Sequence, residues 1–336
     1  MQYLRVHGND YEMGLQIGEH FSSYLKQAIL PYEEELSNQE LLREVRHLKA
    51  MLKEEYPNGL REIYGRADGA GIDRDATLLM FFPEIQKRVD GCTTLFLRKP
   101  NGHLLFSHNE DDKNFTEGNT ALIRYEYEDF WVIGYTMAEK LLGSSYAFNS
   151  AGLIFSTNYI YPVETHLEYL SRYVLSRRLM NAKSISEVFE ILNEMKVASP
   201  FSLNVLSRKT LEAWNIEKDN ERLYAHKITD RLGRANHFLM RPFDELSAHP
   251  STAFRTEYVQ TEVAKLDAQT AKLEDLKKIL SYHEEDYNRC VYKQPGLFTV
   301  LSVTVSNFSY DSETDTIEIY DYLNNTSIKK GYSEFE

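Results

Sequence analysis

Hydrophobic positions in the first ninety residues recur every three to four residues, which is the period of a helix. Met13, Ile17 and Phe21 lie one helical turn apart. A second apolar stripe is formed by Leu41, Val45, Leu48 and Leu52. Pro57, Gly59 and the glycine-rich segment "GRADGAGIDRD" are expected to interrupt these helices. The pattern therefore predicts a helical N-terminal region whose apolar stripes pack into a core.

From position 92 the period changes to two, which is typical of strands. The segments "CTTLFLRK" and "LLFSHNED" flank Asn101-Gly102, a dipeptide that favours a type I′ turn, so we predict a β-hairpin here. Further strands are predicted at "TALIRYEYE", "FWVIGYTMA", "SSYAFN", "GLIFSTNYI", "FSLNVLS", "LEAWNIEK", "RLYAHKI" and "NHFLM", with a last pair at "FTVLSVTVSNF" and "DTIEIYDYL".

Helices interrupt this run of strands twice. One helical stretch is predicted around 167–174. A second one follows and begins at a Ser184/Glu187 capping box. Two more helical segments are predicted over about 253–282. Blocks of strands beside blocks of helices, without βαβ alternation, predict an α+β fold of layered sheets packed with helices.

Composition and charge narrow the class of protein. Hydrophobic residues make up 42% and charged residues 26% of the 336 residues, as in an ordinary globular protein. A net charge of −13 repels phosphate backbones, so no nucleic-acid partner is expected. The N-terminal segment "MQYLRVHGND" lacks the features of a secretory signal, and no apolar run could span a membrane. With two cysteines, Cys92 and Cys290, the chain fits a reducing compartment, and we expect it to be cytoplasmic.

Cys92 is the main candidate for chemistry, although a lone cysteine is more often a small buried hydrophobic residue. Gly91 has no Cβ, so its carbonyl group is open to attack by the neighbouring thiol. Cleavage of the 91–92 bond would give Cys92 a free α-amino group with a pKa of about 7.7–8.0, able to act as the base for its own thiol. The Gly-Cys pair thus indicates an N-terminal nucleophile formed by self-cleavage.

Such a nucleophile needs a carboxylate to orient the amine and donors for the oxyanion of the tetrahedral intermediate. The hairpin would bring Glu110, Asp111 and Asp112 across from residues 92–94, but because strand side chains alternate, only some of them can face Cys92. Asn149 and Asn236 could donate from neutral amides, although an isolated asparagine is more often a turn former.

These segments together resemble the isopenicillin N (acyl-CoA:6-aminopenicillanate) acyltransferase family. That family is a branch of the N-terminal-nucleophile (Ntn) hydrolases and is related to the choloylglycine and penicillin V amidases. The resemblance runs through "GCTTLFLR", "NGHLLFSHNEDD", "AFNSAGL", "FSLNVLS", "AWNIE", "ANHFL" and "STAFR". It implies a four-layer αββα sandwich with an N-terminal helical leader. It also implies a division into a pro-segment, 1–91, and a catalytic chain, 92–336, which remain bound as an α/β heterodimer after cleavage.

The resemblance also implies roles for individual residues. Cys92 matches the nucleophile released from Gly91, and Asp111 matches the carboxylate that binds the new α-amino group. Asn149 matches an asparagine lining the site, Asn236 the oxyanion-hole asparagine, and Arg255 an arginine near the nucleophile. The choloylglycine branch has an arginine three positions before the carboxylate, where this chain has His108. That difference argues against a simple transfer of bile-salt or penicillin V activity.

The sequence therefore predicts a cysteine Ntn amidohydrolase or acyltransferase, without cofactor or metal, acting on a small N-acyl amide, peptide or acyl thioester. No glycine-rich loop or basic cluster for coenzyme A is evident, which favours hydrolysis. Two alternatives stay open: an uncleaved, non-catalytic binding protein of this fold, and a metal-dependent hydrolase that uses His108, Glu110, Asp111 and Asp112. A homo-oligomer is left open as well.

Overall fold

The computed structural model describes residues 2–85, 91–113, 118–161, 164–241, 249–296 and 302–336. Its strands form an eight-stranded sheet in the order β1-β4-β5-β6-β7-β8-β9-β10 and a six-stranded sheet in the order β11-β2-β3-β12-β13-β14. Neighbouring strands are antiparallel, except that β1 runs parallel to β4. We call these the large sheet and the small sheet.

The bounds of the elements are as follows. The helices are α1 (Asp10–His20), α2 (Ser22–Ala28), α3 (Leu30–Glu35), α4 (Gln39–Glu55), α5 (Pro57–Ala70), α6 (Arg74–Met80), α7 (Arg172–Leu179), α8 (Ile185–Glu194), α9 (Pro250–Ala264) and α10 (Leu273–Leu280). The strands are β1 (Gln2–His7), β2 (Gly91–Arg98), β3 (Leu104–Lys113), β4 (Thr120–Glu126), β5 (Trp131–Met137), β6 (Tyr146–Asn149), β7 (Leu153–Tyr159), β8 (Phe201–Ser207), β9 (Ala213–Lys218), β10 (Leu223–Lys227), β11 (Arg231–Arg234), β12 (Ser302–Asp311), β13 (Thr316–Asp321) and β14 (Thr326–Gly331).

Three apolar cores separate four layers, and the predicted αββα sandwich is confirmed. Helices α1 to α8 pack on the outer face of the large sheet, where Ile123 and Phe155 point outward. The two sheets pack face to face through a second core that includes Phe96 and Phe106. The outer face of the small sheet, with Leu95, packs against α9 and α10. Because strand side chains alternate, each β2 residue faces either the second or the third core.

The predicted interruptions are confirmed at Pro57, where α5 begins, and at the left-handed Gly71, which ends it, but they are wrong for the glycines inside α5, Gly59, Gly65 and Gly69. Gly65 and Gly69 are there because α5 crosses α1 at close range. A Cβ on Gly65 would lie 2.2 Å from the carbonyl oxygen of Tyr11, and one on Gly69 would lie 2.1 Å from that of Leu15. Only glycine allows the two backbones to approach so closely, and this packing gain outweighs the low helix propensity of glycine.

Several boundaries also differ from the predictions. The first strand, β1, and the last, β14, were not predicted. Asn101 keeps a negative φ and only Gly102 is left-handed (φ 89°), with its N–H donating to the Lys99 carbonyl, so the turn is not type I′. The predicted strand "NHFLM" is irregular, because β11 ends at Arg234. The beginning of the predicted strand at "FTVLS" lies outside the described residues.

The N-terminal segment shares its core with the rest of the chain. Strand β1 pairs with β4 along its whole length, from Gln2 opposite Ala121 to His7 opposite Glu126. The buried Glu62 of α5 forms an ion pair with Arg177 of α7 at 2.7 Å. No helix among the described residues is long and apolar enough to cross a bilayer.

Candidate functional site

The pairing of β2 with β3 brings the sequence-predicted nucleophile and the acidic cluster together. Cys92 lies directly opposite Glu110, and Gly91 lies directly opposite Asp111. Cys92 and Glu110 share the face of Phe96 and Phe106, which points into the space between the sheets. Asp111 points to the other face, toward the layer of α9 and α10. The alternation that the sequence analysis left unresolved is therefore settled by the register.

On the inter-sheet face, the Cys92 thiol donates to a carboxylate. Its Sγ lies 3.3 Å from Oε2 of Glu110, and the same oxygen lies 3.4 Å from Nε2 of His108. All three residues are buried. Burial lowers the pKa of His108 to about 3, so its imidazole is neutral near pH 7. Lys140 adds a buried positive charge 3.9 Å from Oε1 of Glu110 and forms an ion pair with Asp112.

On the opposite face, Asp111 lies beside Gly91 and the peptide bond that joins Gly91 to Cys92. It accepts a hydrogen bond from Thr304 at 2.7 Å and forms an ion pair with Nζ of Lys293 at 3.0 Å. A Cβ on Gly91 would lie 3.1 Å from both Cβ and Oδ2 of Asp111. Glycine at position 91 thus leaves room for a carboxylate against the backbone, where it could bind an amine on residue 92.

Arg255 of α9 and Asn236 hold the backbone of Cys92. One guanidinium nitrogen of Arg255 donates to the Cys92 carbonyl at 2.6 Å and to Thr93 Oγ1 at 2.9 Å, and the other donates to Asn236 Oδ1 at 2.7 Å. That amide oxygen also accepts the Cys92 backbone N–H at 3.1 Å, while Nδ2 of Asn236 donates to the Tyr159 carbonyl at 2.8 Å. The structure therefore brings Asn236 and Arg255, the two residues that the family resemblance pointed to, into contact with Cys92.

Asn149 is not brought to this group. Its Nδ2 donates to the carbonyls of Met180 and Ala182, at the end of α7, at 3.0 and 2.8 Å. Its Oδ1 accepts the backbone N–H groups of Ala151 and Leu153. These four bonds use the whole amide to fix the β6–β7 turn against α7. These contacts fit the alternative interpretation of Asn149, in which it stabilises a turn.

A different asparagine, Asn158 of β7, contacts the site and was missed by the sequence analysis. Its Oδ1 accepts from Thr94 Oγ1 at 2.8 Å and from Asn204 Nδ2 at 2.9 Å. Among the described residues, its buried Nδ2 has no hydrogen-bond partner. An unpaired buried N–H group is costly unless something accepts from it, so Asn158 is a candidate oxyanion donor. The available signal was the pair of polar residues Ser156 and Asn158, which follow Ile154 at the alternate positions of one strand face in "GLIFSTNYI".

A chain of hydrogen bonds fixes the orientation of the Asn158 amide. It begins at Arg234, which can only donate, and which donates to Asn215 Oδ1 at 3.3 Å. Asn215 Nδ2 therefore faces and donates to Asn204 Oδ1 at 2.8 Å, so Asn204 must present its own Nδ2 to Asn158. Asn158 accepts through Oδ1, and its two N–H groups remain available to the site.

The four acidic and histidine side chains proposed as an alternative metal site do not form one group. His108 and Glu110 gather with Cys92, with the three ligand atoms within 4.8 Å of one another. Asp111 faces the other side of the small sheet, and Asp112 forms an ion pair with Lys140. A hydrolytic metal centre built from all four residues is thus not supported by the register.

Comparison with known proteins agrees with this fold. The family described as acyl-coenzyme A:6-aminopenicillanic acid acyl-transferase matches residues 97–320. A β-alanyl-dopamine/carcinine hydrolase of Drosophila melanogaster is 22% identical over 228 residues, which cover 58% of this chain and 58% of the relative. The match thus spans little more than half the length of that relative.

Solved structures share the fold. Penicillin V acylase from Agrobacterium tumefaciens aligns with a TM-score of 0.50 at 12% identity, covering 72% of this chain and 87% of that one. A variant of conjugated bile acid hydrolase from Clostridium perfringens aligns with a TM-score of 0.50 at 15% identity. The alignment covers 72% of this chain and 93% of that one. The predicted family is confirmed: this chain belongs to the acyl-coenzyme A:6-aminopenicillanic acid acyl-transferase family.

Proposed function

We propose that the chain is a self-processing amide hydrolase or acyltransferase with Cys92 as its nucleophile. The observation that carries the proposal is the convergence of Glu110, Asn236 and Arg255 on one cysteine that directly follows a glycine. Each contact supplies a function that acyl transfer needs: a proton acceptor, a polar amide and a fixed positive charge. Membership of the acyltransferase family supports the same class of reaction.

Self-cleavage comes first, and its base is Glu110. Before cleavage the nitrogen of Cys92 is a peptide nitrogen and cannot accept a proton, whereas Oε2 of Glu110 already accepts the thiol hydrogen bond. Glu110 takes the proton, and Sγ attacks the Gly91 carbonyl carbon. The C–N bond breaks, the proton passes to the nitrogen, and a thioester remains. Water hydrolyses this thioester, which releases the Gly91 carboxylate, the free thiol and the α-amino group of Cys92.

In the mature form the α-amino group accepts the thiol proton, and Asp111 holds that amine. The thiolate attacks the substrate amide carbon, Asn236 and Asn158 donate to the oxyanion, and the leaving amine takes the proton. Water, or a second amine in a transferase, then resolves the thioester. Segment 1–91 stays bound after cleavage, because β1 pairs with β4 and Glu62 forms its buried ion pair with Arg177.

The proposed substrates are small N-acyl amides. The relative named as a β-alanyl-dopamine/carcinine hydrolase supports substrates with a short acyl group, such as β-alanyl, on an amine. We extend that substrate class to this chain as a proposal. The aromatic rings on the inter-sheet face do not argue for a large acyl group, because Tyr135, Tyr146 and Phe308 stack on one another within the core.

The test is a substrate panel applied to processed protein. N-β-alanyl amines, N-acyl amino acids, β-lactam side-chain amides and acyl-coenzyme A thioesters are offered with and without an amine acceptor, and the products are identified by mass spectrometry. We expect hydrolysis of at least one amide, loss of all turnover in Cys92→Ala, and retention in Cys290→Ala. Turnover that survives in Cys92→Ala would overturn the proposal.

A further inference from the structure

We propose that Cys92, His108 and Glu110 form a binding site for one zinc-type divalent cation, which blocks the nucleophile when it binds. The juxtaposition that carries this inference is three ligand atoms, Sγ, Nε2 and Oε2, within 4.8 Å of one another. Binding itself depends only on these contacts. The blocking consequence rests on the proposed function of Cys92.

The tautomer of His108 is fixed so that Nε2 carries the lone pair. Thr94 Oγ1 has one hydrogen, and it donates this hydrogen to Asn158 Oδ1 at 2.8 Å. The 2.9 Å contact between Thr94 Oγ1 and His108 Nδ1 therefore requires Nδ1–H as the donor. Nε2 is left bare, facing Glu110. Thr94 is thus the outer-shell partner that metal-binding histidines in proteins use to set their orientation.

Three atoms that can bind a metal ion therefore face one another in a buried space, the sulfur after loss of its proton. Nε2 of His108 and Oε2 of Glu110 are 3.4 Å apart, and Sγ of Cys92 is 3.3 Å from the same oxygen. In a tetrahedral zinc site, bond lengths of about 2.0–2.3 Å place neighbouring ligand atoms about 3.4 Å apart for N and O and about 3.6 Å apart for S and O. The two spacings to Oε2 are close to these values, and the ligand atoms of all three side chains lie within 4.8 Å of one another.

Charge and ligand type point to the same kind of ion. A thiolate, a carboxylate and a neutral imidazole compensate a divalent cation fully, which suits a site with no solvent to screen it. A sulfur and nitrogen ligand set selects zinc, or cobalt as its spectroscopic substitute, over magnesium and calcium. Coordination draws negative charge from the thiolate sulfur and fixes its position at the ion, so the bound sulfur is a weaker nucleophile towards a carbonyl carbon. The ion would therefore hold the nucleophile inactive, the opposite of a hydrolytic metal.

Cobalt binding tests the inference without any substrate. Untagged full-length protein is titrated with Co²⁺, and the sulfur-to-cobalt charge-transfer band is recorded, followed by displacement with Zn²⁺. We expect one ion per chain and a thiolate band in the wild type and in Cys290→Ala, and no thiolate band in Cys92→Ala. Thr94→Val, which removes the partner of Nδ1–H, should weaken affinity by about 10–100-fold.

A second measurement uses the unaltered chain, so that a folding defect cannot obscure the result. Zn²⁺ should slow alkylation of Cys92 by iodoacetamide, and a chelator should restore it, while Cys290 serves as the internal reference. A wild type without a thiolate band, or a band that persists in Cys92→Ala, would overturn the inference. Amide hydrolysis that is indifferent to Zn²⁺ would refute the blocking role and leave the proposed function standing.

Discussion

Glu110 lies directly across the β2–β3 pair from Cys92, and its Oε2 accepts the thiol hydrogen bond at 3.3 Å. The thiol of the uncleaved chain is therefore in contact with a carboxylate before any α-amino group exists. In the proposed mechanism the two proton acceptors act at different stages. Glu110 would serve self-cleavage, and the terminal amine would serve turnover.

Glu110→Gln should therefore slow self-cleavage, by about 10²–10⁴-fold, the range typical of a lost general base. Glutamine keeps the shape of the side chain but does not hold a proton for the leaving nitrogen. The rate is followed by the appearance of the 1–91 and 92–336 chains after synthesis. Asp112→Asn is the matched control, since it removes a carboxylate from the same strand face that pairs with Lys140 rather than with Cys92. Equal cleavage rates for Glu110→Gln and the wild type would exclude Glu110 as the base.

Gly91→Ala should slow self-cleavage by on the order of tenfold, because misplaced reacting groups lose rate steeply. Its Cβ would lie 3.1 Å from Asp111 and 3.3 Å from Nζ of Lys293, so that carboxylate must shift. Gly102→Ala provides the control: it meets no atom within 4 Å, but its φ of 89° disfavours alanine. The control should lose stability and keep its cleavage rate. Unchanged cleavage in Gly91→Ala would show that crowding against Asp111 does not displace the Gly91 carbonyl from the thiol.

Alanine substitutions of three asparagines should distinguish an effect on turnover from an effect on stability. Asn236→Ala and Asn158→Ala should each raise the barrier to turnover by about 2.7–4 kcal/mol, as for a lost oxyanion donor. Asn149→Ala should instead lower the free energy of unfolding by about 1–3 kcal/mol, since it leaves two buried carbonyls unpaired, with kcat little changed. Steady-state kinetics on processed protein and urea unfolding measure the two quantities. A large loss of kcat with unchanged stability in Asn149→Ala would show that Asn149 acts in the site.

Much of this site was predictable from the sequence, and the reason is local geometry. Cys92 and the acidic cluster are joined by a short hairpin, so strand periodicity alone brings them together. Asn236 and Arg255 came from the family resemblance, and the structure brings both to the Cys92 backbone.

The residues that were missed come from distant elements. Asn158, Lys140 and Lys293 reach the site across the gap between sheets or from a loop, and no short-range pattern links them to Cys92. The α5 helix was missed for a related reason. The glycines of α5 are explained by close packing against α1, which the sequence does not show. Glycine considered alone predicts a break in the helix.

Acidification should destabilise the fold partly through His237. Burial, reinforced by the nearby Arg234, lowers the pKa of His237 to about 4. The unfolded chain, with an ordinary pKa near 6.5, binds the proton first, so stability falls as the pH drops from about 6.5 to about 4 and then levels off. The free energy of unfolding, measured over this range, should decline less in His237→Phe than in the wild type. An identical slope for His237→Phe would contradict this assignment.

The most direct test of self-cleavage is the intact mass and N-terminal sequence of the purified wild type under denaturing conditions, beside Cys92→Ala. The account predicts two wild-type polypeptides, one ending at Gly91 and one beginning at Cys92, and a single chain of 39.2 kDa for Cys92→Ala. A wild type that hydrolyses amides while remaining a single 39.2 kDa chain would contradict it.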